Sequence, residues 1–313
     1  METTIPVRKI FGTAARLLGA VVLMAVAFLV SAMVSSANAV QLSPEEAALS
    51  GQMVLVVSAV NALILSYLAL RSRWHGWKLA GALFLAQYGI ETFMMQIETV
   101  VFNQALQLTW EQAVTLFVSG FVRALIFAPL AVVVLGKTRK DESATTENTR
   151  LVFSAREWAT RLTILAALYA VIYFVFGYFV AWQSPDLRQF YSGSTDILPF
   201  FAHMARTLTT DPIVVLVQFV RGYLWVLIVL PVVRMFKGGT IETCFALVLL
   251  LAVMSTDFVL FPNPYMPEAV RIAHFTELWS SMVLFGVLTG WVLLKKQVWS
   301  KPSLPIAGAA QHT

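Results

Sequence analysis

Charge is what this 313-residue sequence has least of: 12% of its residues are Asp, Glu, Lys or Arg, against 58% hydrophobic. A soluble domain carries about 25% charged residues to keep its surface wet, so that class is excluded. Cysteine is nearly missing too, and with Cys244 alone neither an intramolecular disulfide nor a cysteine-based metal motif can exist. No nucleotide-binding or catalytic signature interrupts the chain. The formal charge of +5 comes from basic residues at the ends of apolar runs, which marks topology rather than a nucleic-acid footprint.

What is present is apolar sequence of membrane-spanning length. Eight runs stand out: 17–37, 51–70, 79–101, 113–135, 159–181, 213–233, 241–260 and 272–294. Each holds about 20 residues, enough to cross a hydrocarbon layer of about 30 Å as a helix. They are continuously apolar rather than alternating, which argues against a barrel. The expected fold is therefore an all-α polytopic membrane helix bundle of about eight transmembrane helices.

Basic residues orient it. Arg8, Lys9 and Arg16, then Arg71, Arg73 and Lys78, then Lys137, Arg139, Lys140, Arg150 and Arg156, then Arg234 and Lys237, and last Lys295, Lys296 and Lys301 fall on every second connection. Both termini are accordingly expected to be cytoplasmic, in the cytoplasmic (inner) membrane of a bacterium. The first run, with Arg8 and Lys9 before it and SSANA after it, also has the elements of a secretory signal with a cleavage site; its length favours an uncleaved helix.

The chain divides into helices one to four over 1–135, a polar linker over 136–158 expected to be flexible and cytoplasmic, helices five to eight over 159–296, and a cytoplasmic tail over 297–313. The longest extracytoplasmic loop is 182–212, in which PFFAHMARTL suits a short interfacial helix carrying His203 and Arg206. FPNPYMPE, 261–268, is a proline-stiffened connection beside the same mouth. A faint parallel repeat relates LTWEQAVTLFVSGFVRALIF, from Leu108, to LTTDPIVVLVQFVRGYLWVL, from Leu208; both begin with Leu-Thr and carry Phe-Val-Arg about halfway in, ending at Arg123 and Arg221.

Ionisable groups inside such runs are costly and concentrate where function is. Glu91 and Glu98 stand seven residues apart, nearly two helical turns, so a regular helix projects them within roughly 20° of each other, with Gln87 and Met94 on the same stripe. Counting about 1.5 Å per residue, Glu91 and Arg123 reach the same depth, near ~15 Å, and are expected to pair. Arg221, Glu277, Glu98, Asp257 and His274 also fall in the outer half.

Four carboxylates, Glu91, Glu98, Asp257 and Glu277, face two guanidiniums, Arg123 and Arg221. The surplus acid implies bound protons, a cation, or a water-filled vestibule open to the outside. The expected binding site is thus Gln87, Glu91, Glu98, Arg123, Arg221, His274 and Glu277. His274-x-x-Glu277 is a two-ligand fragment that needs Glu98 or His203 to complete a metal site. The sequence requires no cofactor and accommodates a bound cation. Gly286 and Gly290, at small-x-x-x-small spacing, point to close helix contact with an oligomer mate or partner subunit.

The stretch VQFVRGYLW, around Arg221, resembles the Arg end of the Glu-Glu-x-x-x-Arg motif of CAAX-processing intramembrane proteases. Leu216 and Val217 occupy the places of the two glutamates, which excludes membership. The residues leave three function classes: binding or transport of a small solute coupled to protons or cations, an enzyme acting on a lipid or lipid-linked substrate at the outer leaflet, and a non-catalytic assembly subunit.

Overall fold

The computed structural model describes residues 7–35, 43–139, 148–262 and 265–295. The SSANA motif after its first serine, the middle of the 136–158 linker and the 297–313 tail lie outside them. The described residues are helical, with no strand; one isolated bridge joins Ser72 to Phe236.

The long helices are α1 (Val7–Ser35), α2 (Pro44–Leu70), α3 (76–101), α4 (Trp110–Val134), α5 (Ala155–Phe179), and, after two short helices α6 (Pro185–Ser192) and α7 (Phe200–Thr210), α8 (Pro212–Met235), α9 (240–254) and α10 (Glu268–Leu294). Seven of these are long and apolar enough to cross a membrane by length and composition, so this is a multi-pass helix bundle. The exception is α3, whose helical residues run from 76 to 101 but are broken by a π turn at Tyr88–Phe93. A second π turn, Leu249–Met254, closes α9, and a 3-10 turn, Asp257–Leu260, comes after it.

Local chemistry sets the starts of these helices. Ser43 with Glu46, Thr109 with Gln112 and Ser154 with Glu157 form reciprocal capping boxes on α2, α4 and α5. Each satisfies two backbone or side-chain donors that a helix start leaves over. Pro44, Pro185 and Pro212 occupy first-turn positions, where a missing N–H costs nothing. Helix α1 lies against α2 and α4; α3 bridges α4 and α8; α8 lies on α5; α10 covers α5 and α9.

The basic connections meet at one end of the bundle. Arg73 N–H donates to the Met235 carbonyl at 2.7 Å, Lys237 N–H to Arg71 at 2.8 Å and Gly76 N–H to Lys137 at 2.8 Å. The Lys137 ammonium reaches the Ser72 carbonyl at 3.0 Å, and Arg71 grips Glu242 through two bonds of 2.7 Å. Most of these bonds join backbone groups and tie the C-terminal ends of α2, α4 and α8 to one another, satisfying carbonyls that helix ends leave over. The linker is shorter than expected: α5 begins at Ala155, where Ser154 caps it, and Asn148 and Arg150 donate to the Arg234 and Val233 carbonyls at 2.6 and 3.2 Å. The C-terminal end of α8 thus anchors residues 148–150.

Gly286 and Gly290 do make a close helix contact, but within this chain. A Cβ at Gly286 would lie 3.1 Å from the Val248 backbone, and one at Gly290 would lie 3.1 Å from Cα of Cys244. Helix α9 therefore occupies the face expected to meet a partner. Because Cys244 is the only cysteine, the contact has a direct test. A Cβ at 290 falls 3.3 Å from the Cys244 Cβ, a few tenths of an ångström inside the usual disulfide range. Oxidising the Gly290→Cys variant is expected to consume both thiols while the protein stays monomeric on a non-reducing gel. A covalent dimer would place the contact between subunits instead.

Candidate functional site

The π turn in α3 decides where its two glutamates go. Met94 N–H bonds back five residues to the Gly89 carbonyl, so one residue is extra relative to a regular helix. One extra residue rotates the remainder of the helix by about 100°. Glu91 lies within the turn and Glu98 beyond it, and they no longer share the stripe that regular spacing predicts. Each reaches a different arginine.

Glu91 turns toward α2 and α4. Its Oε1 accepts from Asn61 Nδ2 at 2.9 Å, and its Oε2 lies 3.4 Å from Arg123 Nη2, the pair anticipated from depth. Arg123 is placed by a close approach of α3 and α4: Gly120, nearly one turn earlier, has no Cβ because the Thr92 side chain occupies that space. The Arg123 guanidinium lies over Phe28 at 4.4 Å and Phe258 at 4.8 Å, apolar faces that still hold a cation. Asp257, at the start of the 3-10 turn, lies close to Glu91, to the Asn61 amide and to the Phe258 backbone N–H, but no donor reaches either of its carboxylate oxygens with good hydrogen-bond geometry. Gln87 is wholly buried, with its Nε2 3.4 Å from Met24 Sδ and its Oε1 unpartnered.

The second cluster forms where α3 meets α8 and α10. Arg221, 1% exposed, donates to Glu98 Oε1, to Gln218 Oε1 at 2.8 Å and to the Met94 carbonyl at 3.1 Å. Its guanidinium lies 5.8 Å from the Tyr169 ring. Glu277, 4% exposed, lies near Glu98 and Arg221, and its Oε1 has no partner. His274, one turn earlier on α10, bonds through Nε2 to the Tyr191 hydroxyl of α6 at 2.8 Å. Burial, then the negative charges of Glu98 and Glu277, pushes the Tyr191 phenol up, so that Tyr191 stays protonated at neutral pH.

The seven expected site residues therefore divide. Gln87, Glu91 and Arg123 belong to one cluster; Glu98, Arg221, His274 and Glu277 belong to the other. One shared outward vestibule is replaced by two closely packed clusters, because the π turn and the separate docking of α4 and α8 on α3 pull the carboxylates apart. Each has one guanidinium and two carboxyl groups, so the acid surplus persists, one carboxyl per cluster.

His203 joins neither. Its ring lies 4.9 Å from Trp182 and 5.5 Å from Tyr178, and burial, with a smaller push from the nearby Arg206, drives its imidazole pKa down. Among the described residues no set of three or more His, Cys, Asp or Glu side chains is arranged to hold a metal ion. His274 and Glu277 share a face of α10, but Tyr191 occupies the His274 Nε2. Arg271 donates to the Met266 carbonyl at 3.2 Å and lines, with Glu45, Glu46 and Glu268, a recess of about 420 Å³ at the N-terminal ends of α2 and α10.

Sequence reasoning missed Asn61, Gln218 and Tyr191. The first two had a signal: Asn61 is the one amide in the second half of an otherwise apolar run, and Gln218 precedes Arg221 by one turn. Tyr191 had none, since only the fold lays α6 over α10. No protein-family model, no curated protein and no solved structure matches the chain.

Proposed function

We propose that this membrane protein binds and transports a small solute, that the Glu98–Arg221–Glu277–His274 cluster is its solute site, and that binding is linked to protons or cations. The supporting observation is the unbalanced carboxylate. Glu277 is buried beside Glu98 while Arg221 neutralises only one of them, and one Glu277 oxygen lacks any donor. Such an arrangement is costly in a membrane protein unless something charged or protic completes it. The Glu98 side chain keeps 18% of its surface open, which leaves this cluster within reach of a solute. A bacterial cytoplasmic membrane, with the basic end of the bundle and both termini inside, is the placement consistent with the positive-inside rule.

Proteoliposomes on a solid-supported membrane test the reading. Steps in pH, in Na+ and in a panel of amino acids and organic acids are expected to move charge in the native protein. Glu277→Gln and Glu98→Gln are each expected to abolish that response. No charge movement with any probe, or an undiminished response in both variants, refutes solute transport through this cluster.

The Tyr191–His274 bond beside two carboxylates favours a second reading, acid–base chemistry on a lipid or lipid-linked substrate at the outer leaflet. A lipidome unchanged between native and Glu277→Ala cells counts against it. The assembly-subunit reading loses the glycine face on which it leaned, which α9 covers.

A further inference from the structure

We infer that the other cluster, Asn61, Gln87, Glu91 and Asp257, is a binding site for one dehydrated monovalent cation of Na+ size. The inference deepens the ion coupling proposed above, although it needs only the fold.

Its first ground is a shortage of donors. Asn61 Oδ1, Gln87 Oε1 and both Asp257 oxygens are buried acceptors without a hydrogen bond, and Glu91 Oε2 meets only the Arg123 guanidinium, at 3.4 Å. The amide orientation of Asn61 is fixed, because Nδ2 must face the Glu91 carboxylate at 2.9 Å, and its oxygen is left over. Asn61 and Gln87 are both 0% exposed, so bulk solvent does not reach these oxygens. Buried acceptors are normally satisfied, and each that is not asks for an explanation.

Charge selects the occupant. Glu91 and Asp257 bring two negative charges and Arg123, 3.4 Å from Glu91, brings one positive, which leaves one to be neutralised. A divalent ion would overshoot. A proton balances the charge but supplies a single donor to one oxygen, leaving the two amide oxygens and the other carboxylate oxygens as they are. A hard monovalent cation satisfies several oxygens at once, and carboxylate and amide oxygens are the ligands such ions take. There is no histidine or thiolate in the set to favour a transition metal.

The backbone supports the same conclusion. The π turn of α3, which contains Glu91, touches the π turn of α9, just before Asp257, and α2 touches the latter. Interrupted helices facing each other inside a bundle are the usual surroundings of intramembrane ion sites, and π turns concentrate at functional positions.

The test uses purified full-length protein and no solute. Thermal unfolding is monitored while NaCl replaces choline chloride at constant ionic strength. Native protein is expected to gain a saturable rise in Tm of about 2–4 °C or more, and Asp257→Asn to lose it. Equilibrium binding of radioactive Na+ to the native protein is expected to saturate at one ion per chain, which keeps the test independent of whether the variant folds. Identical melting in Na+ and choline, absence of saturable Na+ binding, or an Na+ shift that survives Asp257→Asn overturns the site. An Na+ shift without any solute response would remove the transport reading and leave this site standing. A solute response indifferent to Na+ would do the reverse.

Discussion

Replacing Arg221 by Met is expected to lower the melting temperature of the detergent-purified protein by about 10 °C, the consequence of losing about 3–5 kcal/mol. Arg221 is almost wholly buried, and its removal strands Glu98 and Glu277 beside each other while Gln218 and the Met94 carbonyl lose their donor. An uncompensated buried charge is the expensive result of breaking a buried pair; replacing both members by apolar side chains is much cheaper. The double variant Arg221→Met, Glu98→Met is therefore expected to recover more than half of the loss. A single variant that melts like the native protein would show that Arg221 does not hold the α3–α8 contact.

Gly222→Val is expected to be nearly as damaging, costing about 3 kcal/mol, with Gly222→Ala intermediate. At this position α8 lies directly on the backbone of α5: an added Cβ would stand 2.6 Å from the Ala166 Cα and 2.8 Å from its carbonyl oxygen. Backbone does not rotate away as a side chain does, so the two helices must separate, carrying the neighbouring Arg221 off its partners. Gly81→Ala supplies the control. No heavy atom lies within 4 Å of a Cβ there, and in a helix interior Ala is favoured over Gly by roughly 1 kcal/mol. Melting curves of the two variants that fall equally would mean that loss of glycine, not the close helix approach, is responsible.

Much of the architecture was legible because the bilayer imposes it. Continuous apolar runs of about 20 residues admit only helices, and residues 44–70, 110–134 and 212–235 are helical where those runs predict them. The alternation of basic connections anticipated which loops meet: 71–76, 135–137, 148–150 and 233–238 are hydrogen-bonded together at one end. Depth counting found the Glu91–Arg123 pair, because rise per residue is nearly constant along a helix. Rotation about the helix axis was not so recoverable. YGIETF reads like any other helical hexapeptide, yet it winds as a π turn, and that one irregularity sends Glu91 to Arg123 and Glu98 to Arg221. The glycine pair shows the same limit: its spacing declared close helix contact, and only the fold assigned that contact to α9.

The sequence alone determined that this chain is a multi-pass helical membrane protein, and that it holds more buried acid than base, since both come from hydrophobicity and a count of charges. The tertiary structure alone decided how that acid is shared out, as two clusters around two arginines, with Asn61 and Asp257 added to one and Tyr191 brought over the other. The physical reason is that composition fixes the solvent a segment prefers, whereas the neighbours of a side chain depend on helix rotation and on which helices dock together, and those are set by contacts between residues far apart in the chain.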